Sequence, residues 1–471
     1  MRIVMKFGGT SVGNVERVAQ VAEIVKAEVQ RGEQVAVVLS AMSGVTNALL
    51  KSAHEAANGS IEHLLATRED FQRRHMEIIN ALVGDETSRR LLRDRTDTTL
   101  DQFVDLCSSI FVLGELTPRG SDAVASLGER LIVPLVTQVL QECGVPAQAI
   151  DATQLIVTDD NFGAADPLMD ATRDKTQAQL RPLLEANRVP VTTGFIGATR
   201  SGIVTTLGRG GSDYTATIMG GALDADQVWI WTDVNGVMTT DPRIVPHART
   251  LDDVSYAEAA ELAYFGAKVI HPKTMLPVVE RNIPIRILNS FNPAHPGTWI
   301  VRDPRPNQET VKAITAIRNL SILTVEGRGM IGVPGVAARV FSTVAREQVN
   351  VLMISQSSSE QNICLLIEGP AAGRTIDALQ REFELERTRQ NIERIWSQDG
   401  VVIIAVVGAG MKGVPGIAAQ VFNALAEKSI NIIALAQGSS EYNLSLVVDE
   451  LDADQAVRAI HAKFNLGGEN G

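Results

Sequence analysis

Cysteine is nearly absent from this chain. Cys107, Cys143 and Cys364 are few, odd in number and scattered, which argues against a disulfide framework and against a cysteine-built zinc site. An excess of basic residues is missing too: 43 lysines and arginines face 55 aspartates and glutamates, a formal net charge of −12. Nucleic acids and anionic membranes select a cationic face, so neither is expected as a partner. An anionic small molecule remains compatible, provided its site is locally cationic. No uninterrupted apolar run approaches the roughly 20 residues that cross a bilayer. The opening Met1-Arg2-Ile3-Val4-Met5-Lys6 is too short and charged for a signal peptide. These absences predict a cytoplasmic protein. The few histidines lack metal-ligand spacing; His247, His271 and His295 each adjoin a proline and read as structural, so no metal ligand is assigned.

What is present is a duplication. Gly329-Met330-Ile331-Gly332-Val333-Pro334-Gly335 recurs as Gly410-Met411-Lys412-Gly413-Val414-Pro415-Gly416, an offset of 81. The same offset relates Phe341 to Phe422, Asn350 to Asn431, Gln356 to Gln437 and Ser358-Ser359-Glu360 to Ser439-Ser440-Glu441. Two copies are too few for a solenoid. A duplicated module at the end of a larger chain fits paired sensing or subunit pairing, and so a regulated activity upstream. Each copy reads strand, glycine turn, helix, strand, strand, helix, the order of a ferredoxin-like split βαβ.

Upstream, Ile3–Phe7 is a strand, and Val18, Ala22, Val25 and Val29 form a helical stripe after it. Gln34–Ser40 is apolar without alternation, as a strand buried on both faces of a parallel sheet should be. Residues 50–140 are helix-like; then strands and helices alternate, predicting a mostly parallel α/β sheet covered on both faces. Arg302-Asp303-Pro304-Arg305-Pro306-Asn307 is a polar linker.

Several glycine-rich turns carry chemistry. Lys6-Phe7-Gly8-Gly9-Thr10-Ser11 ends a strand with a cation and then offers backbone N–H groups and hydroxyls, as a polyphosphate requires. A plain strand-to-helix turn is the competing reading. Gly208-Arg209-Gly210-Gly211-Ser212-Asp213 is a second such turn, and no Walker-type G-x-x-x-x-G-K-[ST] is present. Gly327 to Gly332 and Gly408 to Gly413 fit G-x-G-x-x-G, but each next strand enters a Ser-Ser-Glu turn rather than ending on a ribose-binding acid. Those glycines serve close approach of backbone to a small ligand, or close packing. Thr232-Asp233-Val234-Asn235-Gly236 through Asp241-Pro242-Arg243 is a structured loop. Lys268, in Phe265-Gly266-Ala267-Lys268, is either solvated or functional. Gly128-Glu129-Arg130 and the polar run from Ser40 to Asn47 sit where α/β clefts collect ligands.

In this order the glycine turns, Thr232-Asp233-Val234, Asp241-Pro242-Arg243 and Phe265-Gly266-Ala267-Lys268 resemble the aspartate kinases of the amino-acid-kinase family, and the duplication resembles their paired ACT domains. The resemblance spans essentially the whole chain. It implies an α/β kinase domain over 1–300 and a linker over 301–318 that could lend a strand to the second ACT unit. Two ferredoxin-like βαββαβ ACT modules follow, over 319–395 and 396–471, with no room for the homoserine dehydrogenase half of the bifunctional relatives. The implied reaction is ATP plus L-aspartate giving ADP plus 4-phospho-L-aspartate, the first step of lysine, threonine and methionine biosynthesis. By the same resemblance Lys6, Asp213 and Arg209 are catalytic. Ser40, Thr46, Glu129 and Arg209 bind aspartate. Lys6, Gly8, Gly9, Ser11, Gly210, Gly211, Ser212, Thr232, Asp233, Met238, Arg243 and Lys268 bind ATP with its Mg²⁺. Gln356, Asn362, Gln437 and Asn443 bind an amino-acid effector. The Gln356 to Glu360 segment is more like threonine-sensitive relatives than lysine-sensitive ones. The implied assembly is a homodimer or homotetramer through the ACT modules. Two departures from the family pattern, Met238 in place of tyrosine and Ile132 in place of serine, remove no charge. The rival readings are a kinase for another small acid and a non-catalytic amino-acid sensor.

Overall fold

The computed structural model describes residues 1–267, 270–305, 309–357, 361–438 and 440–467. It divides into two compact units, one of Met1–Val237, Asp252–Tyr256 and Val269–Arg305, the other of Met238–Leu251, Ala257–Lys268 and Pro306–Gly471. The elements begin with β1 (Arg2–Phe7), α1 (Val15–Gln30), β2 (Gln34–Leu39), α2 (Val45–Ala57), α3 (Leu64–Leu82) and α4 (Glu86–Leu113). Then come α5 (Pro118–Ala125), α6 (Leu127–Glu142), β3 (Ala147–Ile150), β4 (Val157–Thr158), α7 (Met169–Glu185) and β5 (Val189–Thr193). β6 (Ile196–Thr199), β7 (Val204–Thr206), α8 (Gly211–Ala222), β8 (Gln227–Thr232), β9 (Asp253–Ser255) and α9 (Tyr256–Tyr264) follow. After them lie α10 (Pro272–Val279), β10 (Ile285–Asn289), β11 (Thr298–Val301) and β12 (Ala313–Glu326).

The first unit is built on an eight-stranded sheet in the order β3-β5-β2-β1-β8-β10-β11-β9. Its strands from β3 to β10 run parallel, and β11 returns antiparallel to β10. Ile3, Val4, Met5 and Phe7 are fully buried, because β1 lies between two strands and under helices on both faces. Strand alternation sends Ile3, Met5 and Phe7 into one core with α1, α2, α3, α4 and α6. Lys6 therefore leaves from the opposite face, where α8 packs. Local signals agree: the Asn14 side chain accepts the Arg17 N–H and caps α1, and Gly114 ends α4 at φ 67°. The stretch Pro118–Glu142 is apolar and long enough to cross a membrane by length and composition, but 78% of its most apolar window is buried inside the unit. It is a core segment, and Asp122, Glu129 and Arg130 interrupt its apolar run in the sequence.

The second unit adds α11 (Val336–Arg346), β13 (Met353–Gln356), β14 (Asn362–Glu368), α12 (Ala372–Glu382), α13 (Glu384–Thr388) and β15 (Arg394–Val407). It ends with α14 (Ile417–Ala426), β16 (Ala434–Gln437), β17 (Asn443–Asp449) and α15 (Ala453–Lys463). Six strands form one antiparallel sheet, β13-β14-β12-β15-β17-β16. The two long central strands are shared. Ser321–Glu326 pairs with Arg394–Asp399 in one half, and Ala313–Ile317 pairs with Ile403–Val407 in the other. Ala313–Ile317 thus supplies a strand to the second half, and the first half is nested inside it. The repeated glycines explain themselves by packing. A Cβ on Gly327 would lie 2.3 Å from the Asn391 oxygen, and one on Gly408 would lie 2.4 Å from the Thr310 oxygen. Asn391 and Thr310 are themselves one repeat apart. Helix α9 belongs to this unit beyond its first residue. Its Glu258 forms a buried ion pair with Lys312 at 3.3 Å and accepts the Ala409 N–H at 2.7 Å.

Candidate active site

In the first unit the carboxyl ends of β1, β2, β5 and β8 open on one edge, with the chain leaving β1 toward neighbours on both sides. Parallel sheets bind ligands at such a point. A cavity of about 520 Å³ opens there. Lys6, Ser40, Thr46, Glu129, Arg209 and the Gly210-Gly211-Ser212-Asp213 turn all line it, although they come from four separate stretches of chain.

Lys6 Nζ is 2.6 Å from Asp213 Oδ1, with the two side chains only 11% and 20% exposed. The pair follows from the topology: β1 alternation aims Lys6 at the α8 face, and Asp213 sits in the first turn of α8. That turn depends on glycine. Gly210 adopts φ 73° ahead of the helix, and a Cβ on Gly211 would lie 2.6 Å from the Phe195 ring. The amides differ from the sequence expectation. Gly8 N–H donates to the Trp231 oxygen and Gly211 N–H to the Gly208 oxygen, so neither amide is directed at an anion. A helix leaves its first N–H groups without intrahelical partners, and Ser212 and Asp213 occupy that first turn of α8.

Glu129 lies in the first turn of α6 and is 2% exposed. Its Oε1 accepts the Ala41 N–H at 3.1 Å, and its Oε2 has no hydrogen-bond partner among the described residues. Burial pushes its carboxyl up to about 8, against the opposing pull of the Ala41 N–H and the Lys6 charge. A buried, half-satisfied carboxylate facing a cavity is what an incoming ammonium needs. Gly128 permits the approach, since a Cβ there would lie 2.7 Å from Ala41 Cβ.

The other expected residues are distributed differently. Gly9 packs on the Ala41 oxygen, where a Cβ would come within 2.6 Å. Ser11 is fully buried, and its hydroxyl lies 2.7 Å from that of Ser290. Thr232 ends β8 and its carbonyl accepts from Ser290, while the Thr232 hydroxyl donates to Asp233 at 3.3 Å. Met238 and Arg243 fall in the second unit. There Met238 bridges to Thr250, and exposed Arg243 folds onto Asp241 at 2.6 Å. Lys268 lies outside the described residues. Gln356 ends β13 opposite Ile363, and Asn362 accepts the Ser357 N–H. Their repeats differ: Gln437 ends β16, but Asn443 donates to Glu261 of α9 at 3.3 Å and to Ser445.

Sequence reasoning passed over Asp122, Phe195 and Thr206, which also line the cavity. Asp122 is buried and accepts from Thr206 N, Thr206 Oγ1 and Gly163 N at 2.6–2.9 Å. Phe195 holds φ 69°, uncommon for a bulky residue. No motif marks either; only the fold brings them to the site.

A cavity of this size at the carboxyl edge of a parallel sheet, with a lysine–aspartate pair at a glycine turn, fits a phosphotransferase of α/β fold. The comparisons agree. The amino acid kinase family pattern matches residues 1–289, and the ACT domain pattern matches 323–383 and 404–464. The chain belongs to the amino acid kinase family, among its aspartokinases. It is 34% identical over 463 residues to the lysine-sensitive aspartokinase 3 of Escherichia coli, covering 98% of this chain and 99% of that protein. It is 37% identical over 469 residues to a chloroplastic bifunctional aspartokinase/homoserine dehydrogenase 1 of Arabidopsis thaliana, covering 98% of this chain and 51% of that protein. The chain thus spans about half the length of several curated relatives it matches. Among solved structures, E. coli aspartokinase III in complex with aspartate and ADP superposes with a TM-score of 0.81 at 33% identity, covering 98% of this chain and 99% of that one.

Proposed function

We propose that this chain transfers the γ-phosphoryl group of ATP to the side-chain carboxylate of L-aspartate, giving ADP and 4-phospho-L-aspartate. The observation that carries the proposal is the shared cavity of Lys6, Asp213, Arg209 and half-satisfied Glu129. Two anions must meet, so positioning and charge stabilisation do most of the work. Lys6 faces the transferring phosphoryl group, and the amides at the start of α8 support its oxygens. Arg209 holds the α-carboxylate as a bidentate partner, Glu129 takes the α-ammonium, and Ser40 and Thr46 complete the acceptor pocket. The attacking carboxylate, with an ordinary pKa of about 3.9, is ionised at neutral pH and needs no general base. Asp213, ion-paired with Lys6 in the cavity, is the carboxylate that would orient a Mg²⁺–nucleotide complex, whose metal would offset phosphate charge. Thr232, Asp233, Met238, Arg243 and Lys268 are carried as nucleotide-side residues on the family resemblance alone.

The paired ACT modules support feedback inhibition by an amino acid, in a cytoplasmic homodimer or homotetramer that opens lysine, threonine and methionine biosynthesis. Threonine is the proposed effector, with Gln356 and Asn362 as its contacts and Gln437 and Asn443 as their repeats; lysine is the competing candidate. The test is an ADP-release assay with aspartate and glutamate as acceptors, repeated with threonine, lysine and methionine. Release with glutamate but not aspartate would overturn the substrate, absence of release with either would leave a sensor, and inhibition by lysine alone would overturn threonine.

A further inference from the structure

The loop from Ser40 to Gly44 joins β2 to α2 and carries the acceptor side of the cavity: Ser40 itself, then Thr46 and Asn47 in the first turn of α2. It has no regular structure, so its backbone groups must find partners individually. Ser40 N–H donates to the Phe7 oxygen, Ala41 N–H to Glu129, and Ser43 N–H to the Gly9 oxygen. These three bonds tie the first half of the loop to the turn after β1 and to α6. The Ser43 carbonyl faces the other way and accepts a hydrogen bond of 2.9 Å from an Arg74 guanidinium nitrogen. Arg74 stands on α3, which contributes no residue to the cavity lining. Its side chain is 23% exposed, and the nearest acid, Asp70, is 4.0 Å away, too far for a hydrogen bond.

The position of that bond matters. Gly44 follows at φ 82° and hands the chain to α2. Ser43 and Gly44 are both exposed, although Met42 and Val45 on either side are buried and the Val45 N–H donates to the Met42 oxygen. The Ser43 carbonyl lies on this exposed step, just ahead of the helix turn that presents Thr46. We infer that Arg74 is a positioning residue for the acceptor pocket, fixing Thr46 and Asn47 through the Ser43 carbonyl without touching substrate. The inference rests on reading this cavity as the aspartate site. The donor side of the cavity is held by other means, since Gly8 is bonded to Trp231 and Lys6 is paired with Asp213. Loss of Arg74 should thus fall on one substrate. A charge-assisted donor is roughly twice as strong as a neutral one, and small displacements of positioning groups cost up to about 10²-fold.

The experiment uses the full chain with Arg74→Ala and Arg74→Lys, measuring KM for each substrate, kcat, thermal midpoint and amide exchange. Arg74→Ala is expected to raise KM for aspartate by about tenfold, with KM for ATP and the thermal midpoint close to wild type. Exchange should accelerate in residues 43–47, and Arg74→Lys, which keeps a charged donor, should recover most of both effects. Unchanged aspartate KM, a parallel rise in both KM values, or Arg74→Lys as poor as Arg74→Ala would overturn the inference. If wild-type protein fails to phosphorylate aspartate, the proposed function falls; the exchange measurement then still reads the anchor, and unaltered exchange at 43–47 overturns it.

Discussion

The state of Glu129 makes the sharpest demand on the proposed chemistry. Its carboxyl is buried, accepts the Ala41 N–H, has no Oε2 partner among the described residues and is pushed up to about 8. At pH 7 the empty site is then about nine-tenths protonated, while an incoming α-ammonium requires the ionised form. Binding of aspartate should therefore release a proton. Its KM should fall about tenfold per pH unit between pH 6 and 8, and level off above pH 8. Steady-state kinetics across that range, with calorimetry in buffers of different ionisation enthalpy, would measure both effects. Stability has its own sign. The folded pKa lies above the ordinary value of 4.5, so the unfolded chain ionises first as pH rises. Stability should fall between about pH 4.5 and 8, and the full penalty of at most roughly 5 kcal/mol is reached above 8. Glu129→Gln should abolish that slope, raise the thermal midpoint at pH 8 and weaken aspartate binding at every pH. A pH-independent aspartate KM, or wild-type KM in Glu129→Gln, would refute the ammonium assignment.

Three further outcomes are expected. Lys6→Ala should lower kcat by roughly 10²–10³ while the protein still folds, since it removes a donor to the phosphoryl group; a wild-type kcat would remove Lys6 from the mechanism. Gly194→Ala places a Cβ 2.7 Å from Ser212 Cβ and 2.9 Å from the Leu39 oxygen, so denaturant unfolding should show a loss of about 1–3 kcal/mol. Lys312→Met removes the lysine charge paired with fully buried Glu258 and should destabilise the second unit by about 3–5 kcal/mol; exchange rates in β12 and β15 would report it.

Much of the sheet was legible because it rests on patterns that tertiary structure cannot reverse. Ile3–Phe7 reads as a strand and Gln34–Leu39 as one covered on both faces because it is apolar without alternation, and the structure sets them side by side in parallel. The 81-residue offset marked the duplicated module because the same glycines meet the same backbone positions in each half. The sites were legible only as separate turns. Lys6 and Asp213 stand 207 positions apart, yet β1 alternation and the first turn of α8 bring them to 2.6 Å.

What the sequence by itself determined was residue type, period and repeat: a cation at a glycine turn, a parallel α/β sheet, two copies of one module. Tertiary structure alone decided which amides are spent internally and that the Ser11 hydroxyl meets that of Ser290. It also decided that Asp122 and Phe195 face the cavity, and that the nested halves share two strands. The physical reason is that hydrogen-bond satisfaction and burial belong to pairs of atoms distant along the chain, and no local pattern of side chains encodes their partners.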